Sequence, residues 1–384
     1  MLTYKKIPLT IPYFDANEIE AVAQVIRSGW VTQGPKVAEF ERAVADYVGA
    51  RYGIATTSCT TALHLSLYLH GIGEGHEVVM PSFTCPATAN AVRHSRATPA
   101  FVDIDPHTFN LDPAAVADAI NPRTRAIMAI HQFGLPADMD AINQLVRKHD
   151  LVVVEDAGVA LGSVYRGRRV GSLGAATCFS FHGRKIITMG EGGMVTTSDE
   201  AFAERARIVR SHGASVSDLV RHQAEGKVIQ AYEELGYNFR LTDIQAAIGV
   251  EQMKKLPYVV EQRRALACRY DERLVKMPEV EPPYVPPYAE HSYQSYIVRL
   301  TPRCRLSRDE FLHKLASRGV SCRHTLSCHN QPYFRQICGE VHLPVTDEIV
   351  RTTVCLPLYP TMTEKEQDYV IESLQKVLTS SVRG

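Results

Sequence analysis

The chain has 384 residues, 45% of them hydrophobic, so it can form one large core and a smaller one. Its 42 Lys plus Arg residues balance 42 Asp plus Glu residues, which leaves no net field to hold nucleic acid or an anionic membrane and favours a small-molecule site. Nine scattered cysteines without a CxxC pair indicate reduced thiols and predict neither a disulfide framework nor a metal site.

The N-terminal segment MLTYKKIPLTIPYF interrupts its apolar residues with Lys, Thr and Pro. This pattern does not predict the core of a signal peptide, and no apolar run approaches membrane-spanning length. We therefore expect a cytoplasmic protein.

Two helices are predicted first. Asp15 and Glu18 have the spacing of a capping box, and Gly29 follows as a stop signal. The second helix carries Val37, Phe40 and other apolar residues on one face and should end at Gly49.

From Tyr52 onward, short β-rich runs alternate with helical stretches. The runs are YGIAT, EVVM, AFVDI, RAIMAIH and LVVVE. Such alternation predicts an α/β fold with a large, mostly parallel sheet that carries helices on both faces. Ligands of such sheets bind beyond the carboxyl ends of the strands.

A proline-rich stretch, PEVEPPYVPPYAE at 278–290, predicts an extended connection. The strand-like SYIVRL, a helix from Ser307 to Arg318 and the run VSCRH come after it. We therefore predict a large domain over 1–255 and a smaller C-terminal α/β domain over 256–384.

Lys185 lies in FSFHGRKIITMGEGGMV, just past an apolar strand. The segment has neither the Walker spacing nor the three glycines of a dinucleotide fingerprint. A lysine at the ligand edge of a sheet can form a Schiff base, although a solvated surface lysine is the more frequent case.

Two other segments could serve pyridoxal-phosphate chemistry, which needs an acid beside the pyridine nitrogen and donors for the phosphate. Asp156 directly follows the strand LVVVE, where a turn or cap role is the alternative. The stretch SCTTALHLSL opens a helix whose first N–H groups can bind phosphate, while Ser58 or Thr60 could simply cap that helix.

Together these segments resemble the DegT/DnrJ family of pyridoxal-phosphate-dependent sugar aminotransferases. The resemblance follows the chain in order from about Pro8 to Thr363. It is carried by SGWVTQGPKVAEFE, SCTTALHLSL, HEVVMPSFTCPATANAV, AFVDIDPHTFNLDP, FGLPADMDAI, LVVVEDA, FSFHGRKIITMGEGGMV and GYNFRLTDIQAAIG. It implies the type I fold of pyridoxal-phosphate transferases.

The resemblance assigns roles to individual residues. Lys185 matches the lysine that forms the Schiff base, and Asp156 matches the aspartate paired with the pyridine nitrogen. Ser180, Cys59 and Thr60 match positions that hold the cofactor phosphate. Asn238 matches an asparagine that reaches the phosphate from a neighbouring subunit, which implies a homodimer with shared active sites.

Four further positions are matched. His182 and His329 correspond to residues near the sugar in some members, although a lone histidine is more often structural. Val159 stands where the family commonly has Gln, His or Cys against the cofactor. Cys85 stands where many members stack an aromatic ring on the pyridine.

The implied reaction transfers an amino group from L-glutamate, or glutamine, to a keto-sugar, expected to be a nucleotide-linked 4-keto or 3-keto deoxyhexose. Three alternatives stay open: a keto-cyclitol acceptor, a dehydratase on the same scaffold, and a non-catalytic sugar sensor. The related dehydratases have a histidine at the position of Lys185. The pocket loops, among them 212–235 and 322–334, do not identify the sugar.

Overall fold

The computed structural model describes residues 6–216, 231–232 and 234–380. The strands are β1 (Tyr52–Thr56), β2 (Glu77–Pro81), β3 (Thr98–Val102), β4 (Thr124–Ile130), β5 (Val152–Asp156), β6 (Val164–Tyr165), β7 (Arg168–Arg169), β8 (Ala176–Ser180), β9 (Gly193–Thr197), β10 (Val280–Glu281), β11 (Ala289–Glu290), β12 (Tyr296–Leu300), β13 (Arg323–His324) and β14 (Thr353–Leu356). The α-helices are α1 (Ala16–Ser28), α2 (Pro35–Val48), α3 (Cys59–Leu69), α4 (Pro86–His94), α5 (Pro113–Ala119), α6 (Met139–His149), α7 (Glu200–Val209), α8 (Asp243–Leu274), α9 (Arg308–Ser317), α10 (Pro332–Cys338), α11 (Pro344–Thr352) and α12 (Glu364–Ser380).

The first two helices begin and end as their sequences predict. Asp15 caps α1 in a capping box with Glu18, and Gly29 ends the helix in the left-handed conformation at φ 76°. Gly49 ends α2 in the same way, at φ 80°.

The largest sheet has seven strands in the order β1-β9-β8-β5-β4-β2-β3. Strand β9 runs antiparallel to both of its neighbours, β1 and β8. The remaining pairs are parallel, as the alternation of strands and helices predicts. Successive residues of β5 point to opposite faces, so Val154 packs with Leu63 of α3 and Val153 packs with Ile142 of α6. Helices therefore cover both faces.

A second, antiparallel sheet has the order β10-β12-β14-β13. Phe311 of α9 and Leu374 of α12 pack with Val298 of β12 in its core. Ile7 belongs to the same cluster, and its N–H donates to the carbonyl oxygen of Gly319 at 2.7 Å. The residues just before α1 thus pack against the C-terminal sheet.

Helix α8 joins the two cores. Its first half packs against the large sheet through Val250 and Leu256, and its second half packs into the C-terminal core through Tyr270 and Leu274. The division of the chain at 255/256 falls inside this helix and stays a prediction. No helix within the described ranges has both the length and the apolar content needed to cross a bilayer.

Candidate active site

Several polar side chains meet where strands of the large sheet end. Strand β5 ends at Asp156 and strand β8 ends at Ser180, and the two strands are parallel neighbours with Asp156 opposite Cys178. Helix α3 begins at Cys59, shortly after the end of β1. Since β1 and β8 are both antiparallel to β9, the three strands end at the same edge of the sheet.

The carboxylate of Asp156 has partners on both oxygens. Oδ1 accepts a hydrogen bond from the Gly158 N–H at 2.9 Å, and the Cys59 thiol lies 3.9 Å from it. Oδ2 accepts from the Thr88 hydroxyl at 2.6 Å. Asp156 is only 8% exposed, so these donors compensate its removal from water.

The start of helix α3 offers hydrogen-bond donors at the same edge. Ser58 is the N-cap residue, and its side chain accepts a hydrogen bond from the N–H of Thr61. The N–H groups of Cys59 and Thr60 belong to the first turn, which has no acceptors within its own helix. These donors and the helix dipole favour an anion in front of Cys59 and Thr60. The capping role expected as the alternative belongs to Ser58.

Gly158 lies between these groups. A Cβ at this position would lie 3.0 Å from Oδ1 of Asp156, 3.2 Å from Sγ of Cys59 and 3.5 Å from Cβ of Ser180. Asp156, Cys59 and Ser180, all predicted site residues, therefore surround one position. Because glycine has no side chain, the space between them stays open.

Lys185 follows β8 in a tight turn. Its N–H donates to the carbonyl oxygen of His182 at 2.9 Å, and its side chain is partly buried. Burial raises the pKa of the Cys59 thiol well above its ordinary value, with Asp156 acting in the same direction and Lys185 in the opposite one. Lys185 and Asp156 thus lie within electrostatic reach of the same thiol.

A residue just before the C-terminal strand β12 fixes the turn before Lys185. The side-chain amide of Gln294 donates to the carbonyl oxygen of Arg184 at 2.6 Å. Gln294 is 8% exposed and comes two residues before β12. The turn is therefore attached to the C-terminal sheet as well as to β8.

Cys85 and Val159, the two predicted cofactor-binding residues that depart from the family pattern, lie in different surroundings. Cys85 is exposed and is the N-cap residue of α4. Val159 is partly buried and directly follows Gly158. Their contacts with the cofactor stay predictions.

Asn238 is exposed and lies beside the start of α3. It forms an isolated β-bridge with Ser211, and the next carbonyl oxygen, that of Phe239, accepts from the Thr57 N–H at 3.0 Å. Its reach into the site of a second chain stays a prediction. Of the expected pocket loop 212–235, residues 217–230 and 233 lie outside the described residues.

The two histidines expected near the sugar occupy different environments. His182 lies in the Lys185 turn with 40% of its side chain exposed, and its Nε2 is 3.7 Å from Oε1 of Glu191. His329 is 4% exposed, with Nδ1 2.6 Å from the Ser82 hydroxyl and Nε2 3.3 Å from Oδ1 of Asp347. Burial lowers the pKa of His329, which favours its neutral form. These contacts hold the 322–334 segment on the end of β2, whereas substrate contact by either histidine stays a prediction.

Sequence patterns missed three residues of this site: Thr88, Gly158 and Gln294. Thr88 lies on α4 and Gly158 in an ordinary turn, so neither carries a local signal beyond helix or turn formation. Gln294 lies 110 residues from its partner in the chain. No spacing rule links residues that far apart.

The arrangement combines an amine, a buried carboxylate and the free N–H groups of a helix start. This donor set fits pyridoxal phosphate, because the carboxylate suits the pyridine nitrogen and the helix start suits the phosphate. Such a cofactor also requires an amine, and the assignment of this role to Lys185 stays a prediction.

Comparisons with known proteins agree with this chemistry. The model of the DegT/DnrJ/EryC1/StrS aminotransferase family matches residues 12–375. The spore coat polysaccharide biosynthesis protein SpsC of Bacillus subtilis is 36% identical over 378 residues, which are 97% of each chain.

Two solved structures have closely similar folds. PseC of Helicobacter pylori, an aminotransferase involved in the biosynthesis of pseudoaminic acid, superposes with a TM-score of 0.91 at 28% identity, over 98% of this chain and 100% of that one. The PLP-form of Spr1654 from Streptococcus pneumoniae superposes with a TM-score of 0.91 at 28% identity, over 98% and 99% of the two chains.

Proposed function

Because the chain belongs to the DegT/DnrJ/EryC1/StrS aminotransferase family, we propose that it transfers the amino group of L-glutamate to the keto group of a nucleotide-linked sugar. The family makes it a pyridoxal-phosphate-dependent aminotransferase that acts on sugars. The identities of the donor and the acceptor are the proposal. The observation that supports it is the meeting of Asp156, the Lys185 turn and the start of α3 at one sheet edge.

Bound pyridoxal phosphate supplies an aldehyde that condenses with amines and a ring that accepts an electron pair from the donor's α-carbon. The carboxylate of Asp156 pairs with the ring nitrogen and holds its proton there. Nζ of Lys185 would hold the bound cofactor and, with the amino donor in place, would act as the base that removes the donor's α-proton. Water supplies the keto oxygen of the 2-oxoglutarate that L-glutamate becomes. The keto carbon of the sugar would receive the nitrogen and a hydrogen, and its oxygen would leave as water.

The phosphate is proposed to bind at the N–H groups of Cys59 and Thr60 and at the hydroxyl of Ser180. Two features of the chain support this placement. The cap of α3 uses Ser58, which leaves the first-turn N–H groups for a ligand. Ser180 is the last residue of β8, next to the space beside Gly158.

The acceptor is proposed to be a 4-keto or 3-keto deoxyhexose carried on a nucleotide. SpsC is named as a spore coat polysaccharide biosynthesis protein, and PseC is named as an aminotransferase involved in the biosynthesis of pseudoaminic acid, which supports a sugar as the acceptor. Glutamine as donor and a keto-cyclitol as acceptor are the alternatives to be tested alongside.

The proposed assembly is a homodimer in which Asn238 of one chain serves the site of the other. Mixing two inactive variants tests it: a Lys185→Ala chain and an Asn238→Ala chain, denatured and refolded together. If the sites are shared, each mixed dimer contains one complete site, and activity returns. If both residues act within one chain, the mixture stays inactive.

The first experiment is a visible absorption spectrum of the purified protein with pyridoxal phosphate, recorded before and after addition of L-glutamate. Loss of the visible cofactor band, with formation of 2-oxoglutarate, supports the first half of the reaction. Nucleotide-linked 4-keto and 3-keto sugars and a keto-cyclitol are then offered to the aminated form.

The product separates the remaining alternatives. A sugar that gains nitrogen supports transamination, whereas a sugar that loses a hydroxyl without gaining nitrogen indicates a dehydratase. A cofactor band that no amino donor changes indicates a sensor.

A further inference from the structure

We propose that Thr88 is a positioning residue that holds the Asp156 carboxylate in the orientation needed to bind the pyridoxal ring. This inference rests on the proposed function of Asp156. The Thr88 hydroxyl donates a hydrogen bond of 2.6 Å to Oδ2 of Asp156.

The direction of this hydrogen bond is fixed by its partners. An ionised carboxylate can only accept, so the one hydrogen of the Thr88 hydroxyl points at Asp156. The Thr84 hydroxyl lies 3.2 Å from that of Thr88 and must then be the donor to it. Thr84, Thr88 and Asp156 form a hydrogen-bond chain that runs toward the site.

Thr88 is rigidly placed. It is 1% exposed on α4, and its N–H donates to the carbonyl oxygen of Cys85 at 3.1 Å. A helical threonine often turns its hydroxyl to the carbonyl four residues earlier, yet here the hydroxyl serves Asp156 instead.

The segment before α4 is held from two other parts of the chain. The N–H of Cys328 donates to the carbonyl oxygen of Ser82 at 2.8 Å, and the side chain of Gln132 donates to that of Phe83. These hydrogen bonds hold the backbone before α4 in place, and the position of the Thr88 hydroxyl depends on that backbone.

Each oxygen of Asp156 thus has its own donor on the protein side, Gly158 for Oδ1 and Thr88 for Oδ2. Two donors at fixed positions allow one orientation of the carboxylate plane. Without the Thr88 hydroxyl, Oδ2 would be a buried acceptor of negative charge lacking that donor, and the carboxylate would rotate toward other partners.

A matched control exists on the other face of the same strands. The Thr177 hydroxyl donates to Oε1 of Glu155 at 2.8 Å, and both residues are fully buried. Glu155 and Asp156 are successive residues of β5, so their side chains point to opposite faces of the sheet. Thr177→Val removes the same kind of hydrogen bond without touching the proposed cofactor site.

The experiment compares the Thr88→Val, Thr88→Ser and Thr177→Val variants with the wild type. The dissociation constant of pyridoxal phosphate is measured by titrating the cofactor-free proteins, and the pH midpoint of the visible cofactor band is recorded. We expect Thr88→Val to raise the dissociation constant about tenfold and to shift the midpoint. Thr88→Ser should restore both values, and Thr177→Val should leave both unchanged while lowering thermal stability.

Thr88→Ala, which lacks the hydroxyl and adds no bulk, replaces the valine variant if that protein does not fold. Wild-type affinity and midpoint in the hydroxyl-free variant overturn the role of Thr88 while the proposed function stands. An equal effect in Thr177→Val also overturns it, because the loss would then reflect general destabilisation. If the wild type itself shows no cofactor band, the proposed function fails and the role of Thr88 fails with it.

Discussion

The side-chain amide of Gln294 lies 2.6 Å from the carbonyl oxygen of Arg184, the residue directly before Lys185. This hydrogen bond joins the approach to β12 in the C-terminal sheet with the turn that carries the proposed catalytic amine. The position of Lys185 therefore depends on packing between the two sheets as well as on β8.

Replacing Gln294 should loosen the Lys185 turn. We expect Gln294→Leu to lower kcat about tenfold, because the Arg184 carbonyl oxygen loses its donor. Steady-state kinetics at saturating pyridoxal phosphate measures the effect. The control is Gln367→Leu, which removes a comparable buried hydrogen bond of 2.7 Å to the Leu266 carbonyl oxygen within the C-terminal core. It should lower stability and leave kcat intact; equal kcat losses in both variants would contradict the positional role of Gln294.

Lys185→Ala should abolish turnover and the visible cofactor band, because no other residue is proposed to supply the amine. The fold should persist, since Lys185 lies in a partly buried turn outside the core clusters. Arg184→Ala is the matched control: it removes the neighbouring exposed positive charge and should retain activity. Absorption spectra, circular dichroism and product assays check these four expectations. Substantial activity in Lys185→Ala would exclude the assignment.

Gly158→Ala should weaken cofactor binding. The new Cβ would lie 3.0 Å from Oδ1 of Asp156 and 3.2 Å from Sγ of Cys59, so at least one of them must move. Because overpacking costs about 1–3 kcal/mol, we expect affinity for pyridoxal phosphate to fall about tenfold. Gly73→Ala, whose Cβ would meet only the Ser95 carbonyl oxygen at 3.6 Å, serves as the control. Titration of both cofactor-free variants measures the difference, and equal affinities would show that the space at Gly158 is not needed.

Stability should depend on pH through His64. Burial, with a smaller contribution from His94, lowers its pKa from 6.5 to about 4. The unfolded chain therefore binds the extra proton first as the pH falls below about 6.5, and stability decreases until about pH 4, by up to about 3 kcal/mol. His64→Phe should reduce this dependence, since the ring is buried among Tyr237 and Phe239.

Urea unfolding between pH 7 and pH 4.5 measures the free energy of unfolding of wild type and His64→Phe. The exposed residue His149, changed to Ala, provides the comparison and should keep the wild-type pH dependence. A His64→Phe protein with the same pH dependence as wild type would show that His64 is not the group responsible.

Local patterns in the sequence were sufficient for much of the fold. The five predicted β runs correspond to β1 to β5, and the capping box at Asp15 and the stop at Gly29 are both present. These features depend on residues within one turn or one strand, where spacing rules hold. The same rules placed Asp156 at the end of a strand and Lys185 just past one.

The histidines show where such rules end. The resemblance puts His329 near the sugar. The sequence around His329 does not show that the residue is only 4% exposed and that its ring contacts the Ser82 hydroxyl. Ser82 lies 247 residues earlier in the chain. Only the docking of the 322–334 segment on β2 brings the two together.

The α/β class, the order of strands and helices along the chain, and the lysine and aspartate suited to pyridoxal phosphate could all be predicted from the sequence, because each depends on residues close together in the chain. The contacts of Thr88 with Asp156, 68 residues away, and of Gln294 with Arg184, 110 residues away, became visible only in the folded chain. Such contacts follow from strand order and from the packing of helices on particular faces. These are set by burial of the whole apolar surface and not by any local pattern.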